Sequence, residues 1–473
     1  MKLKNSTIFL TLIFFSTNIL QAQAFEVSGW IPYWRSEEGV ESALENLDAF
    51  TEVDPFVYTV KQDGMLYRAS SLKDKEWVKL RKEADEKGVR FTPTVMWANA
   101  DAMEDVLSDE TKRQNHIRSI TSEVFNNKLD GIDIDYEAKY ARTRPHFSLF
   151  LKELNEAIGY DKWIMCTIEA RTPLDSRYSS PDRIPADIEY ANDFKEINKY
   201  CDRVRIMAYD QGRIDWKLNK ANEHPYIPVA DPAWVEKAVR LAMEDIDKEK
   251  ILIGVPTYGY EYDMFEQDGY TQYSRLWSFN PKYALDQADE INEEPKRSEN
   301  GELMLVYPAK KSIDKEAIPL PNATRVMVWN DAESIKKKAE LANKLGVAGI
   351  SIFKIDGGED PKLASVLRDF KTISNDKLKT PTLAISSNLS LPKIPSIDLE
   401  KGDVNDDVKT LQKILNSLGF TIASSGPGSQ GNETNIFGSL TEAALIRFQS
   451  SKSISPAVGY FGSKTRAEIQ LSF

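Results

Sequence analysis

Eight short apolar runs recur between residues 26 and about 370, separated by amphipathic segments. They read EVSGWIPYW, PFVYTV, RFTPTVMW, GIDIDYE, WIMCTIEA, RVRIMAYD, ILIGVPTYGY and GISIF. A segment such as KEWVKLRKEADEKG sets Trp77, Val78 and Leu80 ahead of a Gly88 stop, which is a helical signal. Alternating strands and helices predict an α/β chain, and eight repeats are what a closed parallel (β/α)8 barrel needs. A six-stranded open sheet handles the count less well. In such a barrel the active site lies at the C-terminal ends of the strands. The stretch from Tyr262 to about Val328 is too long for a plain loop. With LMLVYPAK and TRVMVW inside it, it reads as a small α+β lobe inserted after the seventh strand.

The 473 residues leave room for more than this barrel. The N-terminus, MKLKNSTIFLTLIFFSTNILQAQAF, has a basic start at Lys2 and Lys4, an apolar stretch from Ile8 to Phe15, and Ala22-Gln23-Ala24 as a small-x-small site. That pattern predicts a signal peptide over residues 1–24, cleaved after Ala24. Its apolar stretch is too short to hold a mature chain in a bilayer, so a secreted or cell-envelope location without a stable membrane span is expected. The barrel is assigned to residues 25–373, and 374–398, rich in Ser, Pro, Thr and Asn, to an extended linker.

Residues 399–473 read as a small helical module with an internal repeat. Phe-Gly-Ser-x-Thr occurs at Phe437 to Thr441 and again at Phe461 to Thr465. Each is expected to be a turn, with Gly at the bend and Thr as N-cap of the next helix. Ahead of them Val404, Val408, Leu411 and Leu415 fall on one helical face, with Gly419 as the stop.

A formal net charge of -12 and the lack of any basic run argue against a nucleic-acid partner. A neutral polysaccharide is compatible with it. Cys166 and Cys201, in or beside apolar runs, are expected to be buried free thiols rather than a disulfide framework. Three His without ligand-like spacing predict no metal site, and no cofactor is expected. The chain is expected to act as a monomer.

The fourth run, within KLDGIDIDYEAKY, places Asp133, Asp135 and Glu137 on alternate residues, after Asp130 and Gly131. On a strand these three share one face and step towards its C-terminal end, while Ile132, Ile134 and Tyr136 face the helices. Carboxylates roughly 6–7 Å apart in a low-dielectric interior cannot all ionise cheaply. At least one stays protonated, as a general acid must. Glu137, nearest the open end, is the candidate acid. Asp135 is placed to hydrogen-bond both Glu137 and substrate, and Asp133 to share a proton with Asp135.

Asp130-Gly131-x-Asp133-x-Asp135-x-Glu137 resembles the DGxDxDxE signature of glycoside hydrolase family 18, the chitinases and their relatives. The resemblance spans residues 26 to about 370. Met207, Tyr209 and Asp210 in RIMAYD look like the family's sixth-strand Met-x-Tyr-Asp, and GVPTYGY like its seventh strand. GWIPYW and GVAGISIFKIDGGEDP fall where the first and eighth strands belong. The family is a substrate-assisted exception to the two-carboxylate scheme. The resemblance therefore implies that the sugar's 2-acetamido oxygen attacks the anomeric carbon, with retention. It implies that Glu137 protonates the leaving oxygen and later activates water, that Asp135 orients the acetamido N–H, and that Tyr209 bonds its oxygen. Asp210 and Met207 would line the site of the reacting sugar. Phe353 stands where the family usually has Trp, offering an apolar face with less area and no indole N–H. Among other aromatic candidates for sugar stacking, Tyr58 and Trp97 lie near strand ends and are better placed than Trp30, Tyr33, Trp34 and Trp329.

The C-terminal module resembles the small helical peptidoglycan-binding domain of secreted wall hydrolases. Together the two resemblances imply a secreted hydrolase of β-1,4-linked N-acetylglucosamine polymers. Peptidoglycan is favoured, because GGEDP and VWNDAESIKKKAELANKLGVAGI look more like wall- and spore-cortex-lytic members than digestive chitinases. The alternatives are a chitin or chito-oligosaccharide hydrolase and a non-catalytic lectin, the last opposed by the presence of Glu137.

Overall fold

The computed structural model describes residues 25–267, 269–309, 323–371, 394–395, 397–423, 426–452, 454 and 456–470. The expected signal peptide and most of the expected linker lie outside the described residues. The chain divides into two compact units, the first carrying a barrel and the second the C-terminal helices.

Each of the eight apolar runs supplies one barrel strand. They are β1 (Glu26–Pro32), β2 (Glu52–Val60), β3 (Thr94–Trp97), β4 (Gly131–Tyr136), β5 (Trp163–Glu169), β6 (Arg203–Met207), β7 (Ile251–Pro256) and β8 (Gly349–Phe353). All pair in parallel with their neighbours, and β1 closes the ring by pairing with both β2 and β8. The fold is a (β/α)8 TIM barrel. Strands such as β1, β4 and β7 are buried along their whole length, as strands covered on both faces must be.

Two fixed positions before the carboxylates have structural work. A Cβ on Gly131 would lie 2.3 Å from the Trp163 carbonyl oxygen, so no larger residue fits. Asp130 accepts a hydrogen bond from the Phe91 N–H at 2.9 Å, tying the entry of β4 to the neighbouring strand. At the N-terminal end of the barrel, Arg90 pairs with Glu26 and Glu52, and Arg203 with Glu26. Burial alone would raise the Glu26 pKa, but these guanidinium groups hold it at about 2.

The predicted helix runs Lys75–Glu86 and buries Trp77, Leu80 and Ala84, while Val78 faces water at 51% exposure. After β7 comes an antiparallel sheet of Gly259–Gln267, Tyr270–Phe279, Lys296–Arg297, Leu303–Pro308 and Thr324–Trp329. With the helix Pro281–Ile291 it forms the inserted α+β lobe. Its sheet begins at Gly259 and ends at Trp329, slightly beyond the expected bounds at both ends.

The cysteines correct an expectation. Cys166 and Cys201 are disulfide-bonded, with Cα atoms 5.9 Å apart. Their apolar flanks signalled burial, but not that they are neighbours. Cys166 lies opposite Val204 in the β5–β6 register, and Cys201 ends the helix Phe194–Tyr200 just before β6.

In the second unit, helices Asp406–Ser417, Ser439–Ser451 and Ser463–Gln470 pack around Val408, Leu411, Leu415, Phe437, Phe448 and Phe461. Val404 lies before the first helix and is 63% exposed, not on its buried face. The repeat's threonines are not N-caps. Gly438 occupies that position, and buried Thr441 binds the Gln412 side-chain amide at 2.9 Å. Thr465 meets Gln449 in the same way at 3.0 Å. A buried threonine is therefore latched by a glutamine of the preceding helix in both repeats. Among the described residues no helix is long and apolar enough to cross a membrane.

Candidate active site

β4 carries its three carboxylates into the barrel interior in order. Asp133 is fully buried. Its Oδ2 accepts from Trp30 Nε1 at 3.0 Å and Thr94 Oγ1 at 2.9 Å, and lies 2.9 Å from Arg205 Nη1. Its Oδ1 accepts from Thr167 at 2.8 Å. These contacts tie Asp133 to β1, β3, β5 and β6.

Asp135 is 4% exposed, and its Oδ1 has no hydrogen-bond partner. Burial, then the charges of Glu137 and Asp133, push its carboxyl well above the usual range. Glu137 follows directly, its N–H bonded to the Trp97 carbonyl at 2.8 Å. Burial raises its pKa first and Glu169 next, with Asp210 adding to the effect and Lys139 opposing it. Lys139 is a weakened opponent, since burial disfavours its own charged form. Glu137 is therefore a carboxyl disposed to keep its proton, as a general acid requires.

β6 delivers the next group. Met207, half-buried, sits opposite Glu169 in the β5–β6 register. The Tyr209 ring stacks on Phe353 with centroids 5.8 Å apart and planes 17° apart. Gly254 makes this possible, since a Cβ there would come 2.5 Å from the Ile206 carbonyl and 3.0 Å from the Tyr209 ring. Asp210 takes a left-handed backbone, φ +58°, and accepts from the Tyr258 and Tyr260 hydroxyls at 2.6 and 2.9 Å. Phe353 also meets Trp30 and Tyr258 edge-on, at 5.9 and 6.1 Å.

Tyr58 and Trp97 do not join the site. The Tyr58 hydroxyl donates to Glu123 of the helix Glu110–Asn126 at 2.9 Å. Asp54 faces the interior, so strict alternation would send Tyr58 there too, but a register shift between Phe56 and Tyr58 turns it outward. Thr94 faces the interior, so Trp97 falls on the helix side, packed against His116 and Tyr136 at 5.2 and 5.3 Å. Trp329 lies in the core of the inserted lobe. Tyr33 and Trp34 are 38% and 51% exposed just past β1, where Trp34 meets Phe56 edge-on.

Sequence reasoning missed Glu169, Lys139, Tyr258, Tyr260 and Arg205. For Arg205 a signal existed, a charged residue alternating with apolar ones inside a barrel strand. Lys139 lies only two residues after Glu137, but nothing in the pattern marked its side chain as buried, and Glu169 is brought beside Glu137 only by the fold.

Residues 50–358 match the model of glycosyl hydrolases family 18. The chain belongs to that family. This glycosidase also matches a putative peptidoglycan binding domain over residues 404–469. It is 24% identical over 264 residues to the uncharacterized glycosylase YvbX of Bacillus subtilis (strain 168), spanning 56% of this chain and 67% of that protein. The cortical fragment-lytic enzyme of the same organism is 22% identical over 250 residues, 53% of this chain and 52% of that one. The family 18 barrel has the fold of the Bacillus cereus spore cortex-lytic enzyme SleL, with a TM-score of 0.59 at 19% identity over 75% of this chain and 76% of that one. A class V chitinase from Pseudomonas fluorescens Pf-5 superposes with a TM-score of 0.57 at 19% identity, over 73% of this chain and 99% of that one.

Proposed function

We propose that this family 18 glycosidase is an exported enzyme that cleaves β-1,4 bonds after N-acetylglucosamine in peptidoglycan, by retaining, substrate-assisted catalysis. The observation that carries the mechanism is the buried, unpartnered Asp135 Oδ1 two residues before Glu137, whose pKa burial raises. Glu137 gives its proton to the glycosidic oxygen as the C–O bond breaks. The sugar's acetamido oxygen attacks the anomeric carbon, Asp135 accepts the acetamido N–H, and Tyr209 donates to the acetamido oxygen. Glu137, now a carboxylate, takes a proton from water, which opens the cyclic intermediate from the face the leaving group left. Two displacements restore the original configuration.

The choice of peptidoglycan rests on the C-terminal peptidoglycan-binding match and on cortex-lytic relatives. Export rests on the N-terminal pattern, and a disulfide in the barrel accords with an oxidising compartment. Parallel digests of purified peptidoglycan and colloidal chitin by the wild type and Glu137→Gln test the reading. New reducing ends from peptidoglycan, lost in the variant, are expected. Release from chitin alone would replace the substrate, and release that survives Glu137→Gln would remove Glu137 from its role.

A further inference from the structure

A bond cut after N-acetylglucosamine in peptidoglycan has a muramic sugar on its leaving side, and that sugar carries a lactyl ether ending in a carboxyl group. The group arrives at strand ends rich in carboxylates, where Glu169 and Asp210 already act on Glu137. Binding it there calls for a cation with donors to spare. A line of contacts leads from Glu137 to such a group. The Ala138 N–H bonds Glu169 Oε1 at 3.1 Å, and Asn192 Nδ2 bonds Glu169 Oε2 at 2.7 Å. Arg171, two residues past β5, donates one N–H to the Asn192 backbone carbonyl. Its guanidinium lies 4.1 and 3.7 Å from the ring centroids of Tyr190 and Phe194, which restrict its movement. Among the described residues no carboxylate forms an ion pair with Arg171. Its neighbours are already engaged: Arg144 pairs with Asp193 at 2.7 Å, and the Lys139 ammonium bonds the Tyr136 carbonyl. Burial draws the Arg171 pKa down to about 10, so the group stays charged at neutral pH without the anion that burial calls for. Beside it Asn192 keeps a buried Oδ1 with no hydrogen-bond partner.

We propose that Arg171, with Asn192 beside it, is a specificity-determining residue that receives the lactyl carboxyl group of the sugar on the leaving side of the bond. The side follows from the contacts. The sugar that reacts belongs to Asp135, Tyr209 and Phe353, whereas Glu137, which faces the leaving oxygen, is where the line to Arg171 begins. A guanidinium fork matches a free lactyl carboxylate with two N–H groups, and meets the carbonyl of an amidated one with a single N–H. Asn192 Oδ1 is then an acceptor for the N–H of that amide. A chain of N-acetylglucosamine alone has a hydroxyl in place of the ether and leaves both groups unmet. Arg171 thus separates the two polymers without touching the reacting atoms.

The inference rests on the reading that the chain cleaves peptidoglycan after N-acetylglucosamine. Steady-state kinetics on two tetrasaccharides test it, one alternating N-acetylglucosamine with N-acetylmuramic acid and one of N-acetylglucosamine alone. The ratio of kcat/KM on the first to that on the second should fall about tenfold or more in Arg171→Gln, the scale of a lost charge-assisted hydrogen bond. Arg171→Lys, which keeps the charge but not the fork, should fall between Gln and the wild type. A ratio unchanged in Arg171→Gln, whether activity drops on both substrates or on neither, would overturn the proposal. Calorimetric binding of both tetrasaccharides to Glu137→Gln carries the test where the Arg171 variants do not fold. Tighter binding of the alternating chain supports the assignment; equal or weaker binding overturns it. A wild type that cuts the alternating chain while Arg171→Gln keeps its ratio leaves the peptidoglycan reading standing and removes Arg171 from it. A wild type that cuts only the N-acetylglucosamine chain sinks that reading, and the inference with it.

Discussion

Tyr209 lies flat against Phe353, and a glycine at position 254 gives the tyrosine ring room to do so. In the proposed site Phe353 backs Tyr209 as well as offering a wall to the sugar. Phe353→Ala should lower kcat/KM about tenfold, the scale of one lost aromatic pair with its packing. Steady-state kinetics on a soluble oligosaccharide would check this. An unchanged kcat/KM would mean that Tyr209 holds its place without Phe353.

Glu169 should contribute, after burial, to the basic side of the pH profile. In the proposed mechanism the acid form of Glu137 is needed, so activity should be present below its raised pKa and lost as pH rises through it. Removing the Glu169 charge lowers that pKa, so Glu169→Gln should move the basic limb of kcat/KM to lower pH. The same raised groups affect stability. Asp135 and Glu137 hold protons when folded that the unfolded chain releases at their ordinary values of 3.8 and 4.5. Their contribution to stability is full below those values and declines as pH rises through the folded ones.

Tyr58 serves stability rather than binding. Tyr58→Phe removes a hydrogen bond to Glu123 and should cost about 1 kcal/mol, with kcat/KM unchanged. Denaturant unfolding and kinetics on the same preparation separate the two effects. A loss of activity with unaltered stability would restore Tyr58 to the substrate cleft.

The disulfide is on the helix side of the barrel, since Thr167 next to Cys166 is the residue that faces Asp133. Replacing both cysteines by alanine should leave the chemistry intact. It should cost at most about 4 kcal/mol of stability, the chain-entropy value for a separation of 35 residues. Equilibrium unfolding of the double variant and the oxidised wild type measures it.

What could be read from the chain was whatever periodicity encodes. All eight barrel strands and the inward direction of Asp133, Asp135 and Glu137 follow from alternation, and the inserted lobe from an interval too long for a loop. Tyr58 escaped because one bulge reversed its face, and no side-chain pattern marks a bulge. Trp97 escaped because its strand end was read without the parity that Thr94 sets. The threonines of the C-terminal repeat looked like caps because Thr caps helices often; their glutamine partners lie 29 and 16 residues away. The contacts of Asp133 with Trp30 and Arg205 were not legible because those residues come from distant parts of the sequence.

The closure of the barrel has a consequence for how the chain reaches this state. Ser28 of β1 bonds Ser351 of β8 across 323 residues, and the ring has no seal until those strands meet. Contacts of such separation must overcome a large loop entropy before they reward it, so the barrel is a high-contact-order, slow-closing structure. The C-terminal helices, latched by glutamines and threonines fewer than thirty residues apart, carry no such delay. On emerging from a ribosome, β1 keeps an unpaired edge until β8 follows it out. The C-terminal helices can close on contacts within their own stretch of chain.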